Sequence, residues 1–138
     1  MDAYGHINNV QVLRLLEEAR IQAFGPPAGT GAEGQPPRVE LFSTLDATVQ
    51  ALVAEHRVRY LAALEYRNIP LCIDVWVSAV KGASLTLDYV ISDPVTFTHC
   101  VKATTVLVFV NVANGAVQRL TDRQRELTAV FLGDPVFG

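Results

Sequence analysis

Two hydrophobic periods divide the chain. Between about Val10 and Phe24 the apolar positions recur at helical spacing, with Val12, Leu15, Leu16, Ala19 and Ala23 on one broad face. Leu13 and Phe24 add apolar surface elsewhere, which leaves few positions for water and predicts a helix enclosed on several sides. Gly25, followed by Pro26 and Pro27, stops it. From Leu52 onward the period falls to two: Leu52, Ala54, His56, Val58 and Tyr60 alternate with Glu55, Arg57 and Arg59, the pattern of a half-solvated antiparallel strand. Ile73 to Val80 repeats it, with Ile73, Val75, Val77 and Ala79 opposite Asp74, Trp76 and Ser78. Lys81-Gly82-Ala83-Ser84 reads as a hairpin turn into Leu85, Leu87, Tyr89 and Ile91. Asp93-Pro94 breaks the chain, and Thr98 to Val112 forms a long β-branched strand closed by Asn114-Gly115.

Between helix and strands, Gly25 to Pro37 is a Gly- and Pro-rich connector, and Arg38 to Val49 is ambiguous between a strand and a helical turn. Thr121-Asp-Arg-Gln124 is a capping box that opens a last short helix ending near Gly133. Four closely spaced strands without intervening helices predict an antiparallel sheet. Its apolar face needs a cover, and the first helix is the only long apolar one. Helix against sheet, an α+β arrangement, follows from patterning alone. Trp76 and the Val106/Val108/Val110/Val112 set make the second sheet face partly apolar too, which suits contacts between subunits.

Composition narrows the picture without changing it. A length of 138 residues fits one domain with a real core, and half of the residues are hydrophobic. The net charge of -3 and the lack of a basic run argue against nucleic-acid binding. No apolar stretch reaches transmembrane length and no signal peptide opens the chain, so a cytoplasmic location is expected. Cys72 and Cys100 have neither metal-ligand spacing nor partners for a disulfide framework.

The candidate chemistry lies at the entrance of the first helix, in Asp2-Ala-Tyr-Gly-His6-Ile-Asn8-Asn9. Either Asn can cap the helix. The free amides of the first turn and the helix dipole favour negative charge there, including charge developing on a carbonyl oxygen during acyl transfer. Asp, Gly, His and Asn are also ordinary loop and cap residues, and the residues alone leave both readings open.

Asp-x-x-Gly-His-Ile-Asn-Asn, followed by an apolar helix carrying Glu17-x-x-Arg20, resembles the motif of the hotdog-fold acyl-CoA thioesterases. These are the 4-hydroxybenzoyl-CoA thioesterase-like proteins, relatives of the plant acyl-ACP thioesterases. The likeness continues through Arg59-Tyr60-Leu61 and Gly82-Ala83-Ser84. It implies a hotdog fold, with an antiparallel sheet wrapped around a long central helix. It also implies active sites at a dimer interface, an acyl-CoA substrate, and a homodimer or homotetramer. Family members usually carry a strand before the Asp, and many have Tyr where Val12 stands. The expectation here is one hotdog domain over residues 1–138, lacking that first strand.

With the resemblance, roles follow for the turn. Asp2 is the expected base for a water, or a nucleophile giving a mixed anhydride. His6 orients the thioester or the water, and amides near Gly5 and His6 hold the oxyanion. Asn8 and Asn9 cap the helix and fix the loop, one of them with a water in reach. Glu17 or Glu18 is either surface charge, with an Arg14–Glu18 pair, or a side chain facing the site. The thiolate leaves readily, and neither cofactor nor metal is expected. Structural roles explain His56, His99, Cys100 and Ser84 at least as well as chemistry does. Adjacent His99 and Cys100 point to opposite faces of a strand. Arg57, Arg59, Arg67 and Lys81 are candidates for the phosphates of coenzyme A, or solvated strand charges.

Two alternatives remain. An enoyl-CoA hydratase on the same fold carries Asp-x-Asn-Pro-x-His, a spacing of five against four here. The other is a non-catalytic acyl-CoA-binding protein.

Overall fold

The computed structural model describes residues 9–24, 48–64 and 69–137. Helix α1 spans Asn9–Phe24, strands β1 to β4 span Val49–Tyr60, Cys72–Val80, Ser84–Ser92 and His99–Asn111, and helix α2 spans Asp122–Ala129. The strands form one antiparallel sheet in the order β1-β4-β3-β2. No described helix is long and apolar enough to cross a membrane.

Register sorts the side chains into rows that cross all four strands. On one face run His56–Thr105–Leu87–Val77 and Val58–Ala103–Tyr89–Val75. That face is the core: Val77, Leu85, Leu87, Tyr89, Ile91, Val101, Ala103 and Phe109 are fully buried, together with Val12 and Leu16 of α1. Burying an aliphatic or aromatic side chain of this size stabilises by roughly 1.5–3 kcal/mol, so α1 is held chiefly by this apolar contact.

Two bulges correct the alternation read from sequence. Pairing shifts between Val53 and Glu55, so Val53, opposite buried Leu107, shares the face of His56, while Leu52 pairs with Val108 on the other face. A second shift between Val77 and Ala79 moves Ala79 out of the column of Val77. A one-residue insertion exchanges the two faces of everything beyond it.

The capping box is present at α2, with Thr121 and Gln124 in reciprocal hydrogen bonds. The helix stops at Ala129 and does not run on to the neighbourhood of Gly133. Instead, Phe131 and Gly133 pair with the free edge of β2, through Val77 N–H to Phe131 O (2.9 Å) and Gly133 N–H to Val77 O (2.8 Å). These bonds satisfy a strand edge that a further helical turn would leave bare. A Cβ at Gly133 would stand 2.7 Å from Cδ1 of Trp76, so only glycine fits there.

The tail then crosses the outer face along the row Trp76–Asp88–Thr104–Arg57. Trp76 Nε1 donates to Asp134 O, Val136 N–H donates to the Asp88 carboxylate (2.7 Å), and the Phe137 ring lies 4.2 Å from Arg57 Cζ. Asp88 also accepts from Ser78 and Thr104, which satisfies a buried carboxylate.

Candidate active site

Asp2, Gly5, His6 and Asn8 lie outside the described residues. Asn9 is the first residue of α1, and its side chain also falls outside the description. Because α1 begins at Asn9, the motif runs directly into its N-terminus, where first-turn amides lack intrahelical acceptors. Glu17 stands exposed two turns further on.

Val12, Leu16 and Arg20, spaced by four, form the stripe of α1 that meets the sheet. Arg20 is buried in this stripe and its Nη1 donates to the Tyr89 hydroxyl at 3.4 Å. The Tyr89 hydroxyl is bonded to the Thr105 side chain, and Thr105 Oγ1 lies 2.9 Å from Nδ1 of His56. A polar chain therefore runs from α1 through the core to the inner face of β1. Sequence reading treats His56 as structural and does not single out Thr105 or Tyr89. Each looks like an ordinary strand residue until register places them together.

Arg20 donates to the Tyr89 hydroxyl, and the bond between His56 Nδ1 and Thr105 Oγ1 runs in either sense with the tautomer of the ring. Partial burial, and next the positive charge of Arg20, hold His56 below its ordinary pKa, while the Glu17 carboxylate opposes them. Burial raises the Tyr89 pKa, with Arg20 and Thr105 opposing.

A stability prediction follows from the sign for His56. The unfolded chain takes up its proton at about pH 6.5, before the folded one does. The contribution is present above that pH and is lost as the pH falls toward the depressed folded value. Melting temperature is expected to decline over this window, and His56→Gln is expected to flatten the decline. Parallel curves for the two proteins would reject it.

On the opposite flank of α1 a cavity of about 420 Å³ opens toward β2. Leu15, Ala19, Ala23, Ile73, Val75 and Phe131 give it apolar walls, and Glu18 and Gln22 of α1 also line it. It falls within the size range of small-ligand sites, roughly 300–1,000 Å³.

The remaining candidates are separate from these groups. Cys100 is buried with Sγ near the carbonyls of Ala63 and Thr98, and His99 is exposed. Arg57 and Arg59 flank Phe137 on the outer face, and Arg67 lies outside the described residues. Arg14 and Glu18 do not pair; among the described residues the ion pair within 4.0 Å is Arg123–Glu126. No group of three or more His, Cys, Asp or Glu among the described residues could hold a metal ion.

The family model of the thioesterase-like superfamily matches residues 1–130. No curated protein matches the chain. Among solved structures, the YbaW probable thioesterase of Escherichia coli is similar at 20% identity, covering 96% of this chain and 91% of that one, with a TM-score of 0.73. A Thermus thermophilus thioesterase complexed with coenzyme A and zinc is similar at 22% identity, with 93% and 87% coverage and a TM-score of 0.66. A hypothetical protein of Staphylococcus aureus in complex with coenzyme A shares 9% identity, with 99% and 79% coverage and a TM-score of 0.70. These likenesses, with the four-stranded antiparallel sheet and its helices, identify the α+β hotdog fold.

Proposed function

Since the chain belongs to the thioesterase-like superfamily, we propose that it is an acyl-CoA thioesterase, hydrolysing the thioester to a free acid and coenzyme A. The observation that carries this reading is that the family match takes in the whole of the Asp2–Asn9 motif and the helix it opens. Neighbours of the same fold solved with coenzyme A support the choice of substrate class.

In this mechanism Asp2 takes a proton from water as the water attacks the thioester carbonyl, or attacks that carbonyl itself to give a mixed anhydride. The carbonyl oxygen becomes an oxyanion, held by amides near Gly5 and His6 and by the α1 N-terminus. His6 orients the reacting groups, and Asn8, Asn9 and Glu17 contact the substrate. Thiolate departure then gives the free acid directly, or the mixed anhydride, which a water hydrolyses to the acid and free Asp2, with neither cofactor nor metal. The domain is taken as the whole of residues 1–138. The cytoplasm is the proposed location.

A second copy of the chain is the expected partner, in a homodimer or homotetramer. Among the described residues β1 is an edge strand, twelve residues long with exposed Leu52, Val53 and Tyr60, and natural sheets cover such an edge. The test is thiol release from acyl-CoA thioesters of graded length. At least one is expected to be hydrolysed. Coenzyme A binding without thiol release from any of them would favour the non-catalytic alternative, and hydration of an enoyl-CoA would favour the hydratase.

A further inference from the structure

Three cations gather on the outer face of the sheet, the face turned away from α1. Arg57 and Arg59 stand two residues apart on β1 and so share that face, and Lys102 of β4 is directly opposite Arg59. Like charges set opposite each other in a sheet repel. The chain as a whole is acidic, with 14 Asp and Glu against 11 Lys and Arg, so this cluster reverses its charge locally. No carboxylate neutralises it: among the described residues the ion pair within 4.0 Å is Arg123–Glu126, on α2. Glu55, next along the outer column of β1, makes no such pair. Asp88, in the row of Arg57, is buried and already accepts from Ser78, Thr104 and the Val136 amide.

The two arginines are also gathered onto one aromatic ring. Arg57 Cζ lies 4.2 Å from the centroid of Phe137, and Arg59 Cζ lies 5.6 Å from it. The ring is held in turn, because the adjacent Val136 amide is bonded to Asp88 and the Trp76 indole to Asp134. Stacking engages the π face of a guanidinium and leaves its in-plane N–H donors free. Arg57 and Arg59 are exposed, so those donors face water. Forked donors beside an ammonium group fit the oxygens of phosphate, and a bound phosphate would offset the repulsion among the three charges. A second copy paired along the β1 edge would take up backbone groups of that strand and leave its outward side chains on the sheet face.

We propose that Arg57, Arg59 and Lys102, braced by Phe137, form a phosphate-binding site on the outer face of the sheet. The ligand class is a phosphorylated nucleotide, whose several negative charges answer three cations. Two sources carry that chemistry: the head of coenzyme A in the proposed substrate, and a free nucleotide. The coenzyme A source alone rests on the thioesterase reading.

Calorimetric titration of the full chain with adenosine 3′,5′-bisphosphate reads the site without any hydrolysis. The nucleotide is expected to bind, and its affinity to fall as salt rises. Arg59→Ala and Lys102→Ala are each expected to weaken it by about tenfold, the worth of one hydrogen bond to a charged group. Phe137→Leu keeps all three charges but releases the guanidinium groups, and is expected to weaken binding by a smaller factor. Lys81→Ala removes an exposed cation at the β2–β3 hairpin, away from the cluster, and is expected to change nothing. Folding of each variant is checked by its melting curve.

Kinetics with acyl-CoA and acyl-pantetheine then name the source. If Arg59→Ala and Lys102→Ala raise KM for acyl-CoA alone, the site takes the head of the substrate. If they weaken the bisphosphate and leave both KM values unchanged, the site takes a free nucleotide. If no thioester is hydrolysed while the variants still weaken the bisphosphate, the thioesterase reading fails and the phosphate site stands. The site is overturned if the bisphosphate does not bind, or binds Arg59→Ala and Lys102→Ala as well as wild type. Equal weakening by Lys81→Ala would reduce the cluster to general surface charge and overturn it too.

Discussion

Asp2→Asn is expected to lower kcat for thiol release by roughly a hundred- to ten-thousand-fold, the range for removal of a general base. Asparagine keeps the size and the accepting oxygen of the side chain but neither takes a proton nor attacks a carbonyl. Since the lost interaction is made only in the transition state, KM is expected to change little. Melting temperature is expected to stay that of wild type, which separates lost chemistry from lost fold. Hydrolysis in oxygen-18 water under single-turnover conditions then distinguishes a general base from a nucleophile whose anhydride is opened at its own carbonyl. The base puts the label in the released acid, whereas that nucleophile keeps the label in the Asp2 carboxylate and releases unlabelled acid. Undiminished thiol release in the Asn variant would reject Asp2 in either role.

The elements were legible because each carries its own period. α1 announces itself by spacing and by the Gly25-Pro26-Pro27 stop, and the four strands by alternation and turn residues. What alternation misses is a single inserted residue. The bulges near Ala54 and Ser78 leave no mark in composition, yet they decide that Val53 and not Leu52 lies beside His56. The end of α2 was misread for a related reason. Val130 to Leu132 have no helix-breaking residue among them, and what ends the helix is the tertiary demand of the β2 edge for partners.

The polar chain behind the site was hidden more deeply. Arg20 sits four residues after Leu16, on the buried stripe, and apolar periodicity gives no reason for a cation there. The reason is Tyr89, which is far away in sequence and reaches Arg20 only once β3 lies under α1. Thr105 sits in a run of β-branched residues whose β propensity already explains it. Only the pairing of β1 with β4 puts its hydroxyl against His56. The turn from Asp2 to Asn9 is the opposite case. Its proposed role rests on residue types at fixed spacing and the resemblance they carry, and residues 2–8 lie outside the described residues.

Leu16→Ala tests how the helix and the turn depend on each other. Leu16 is fully buried between Val12 and Arg20 on the stripe that docks α1 onto the sheet. Truncation to alanine removes three heavy atoms from that contact and is expected to destabilise by roughly 2–5 kcal/mol. The loss is expected to fall on α1 before the sheet. The strands hold one another through long ladders of backbone hydrogen bonds, whereas the helix meets the core chiefly through side-chain packing of Val12, Leu16, Leu13 and Ala23 and the Arg20–Tyr89 bond. Amide exchange in residues 10–24 should therefore accelerate at conditions where β3 and β4 remain protected. Thiol release should fall with it, because the N-terminus proposed to hold the oxyanion moves with the helix. Val10→Ala, at a position 75% exposed, supplies the contrast and is expected to change stability by no more than about 0.5 kcal/mol. If exchange rises equally in α1 and in the two central strands of Leu16→Ala, the helix unfolds only with the whole domain, and its separate docking is disproved.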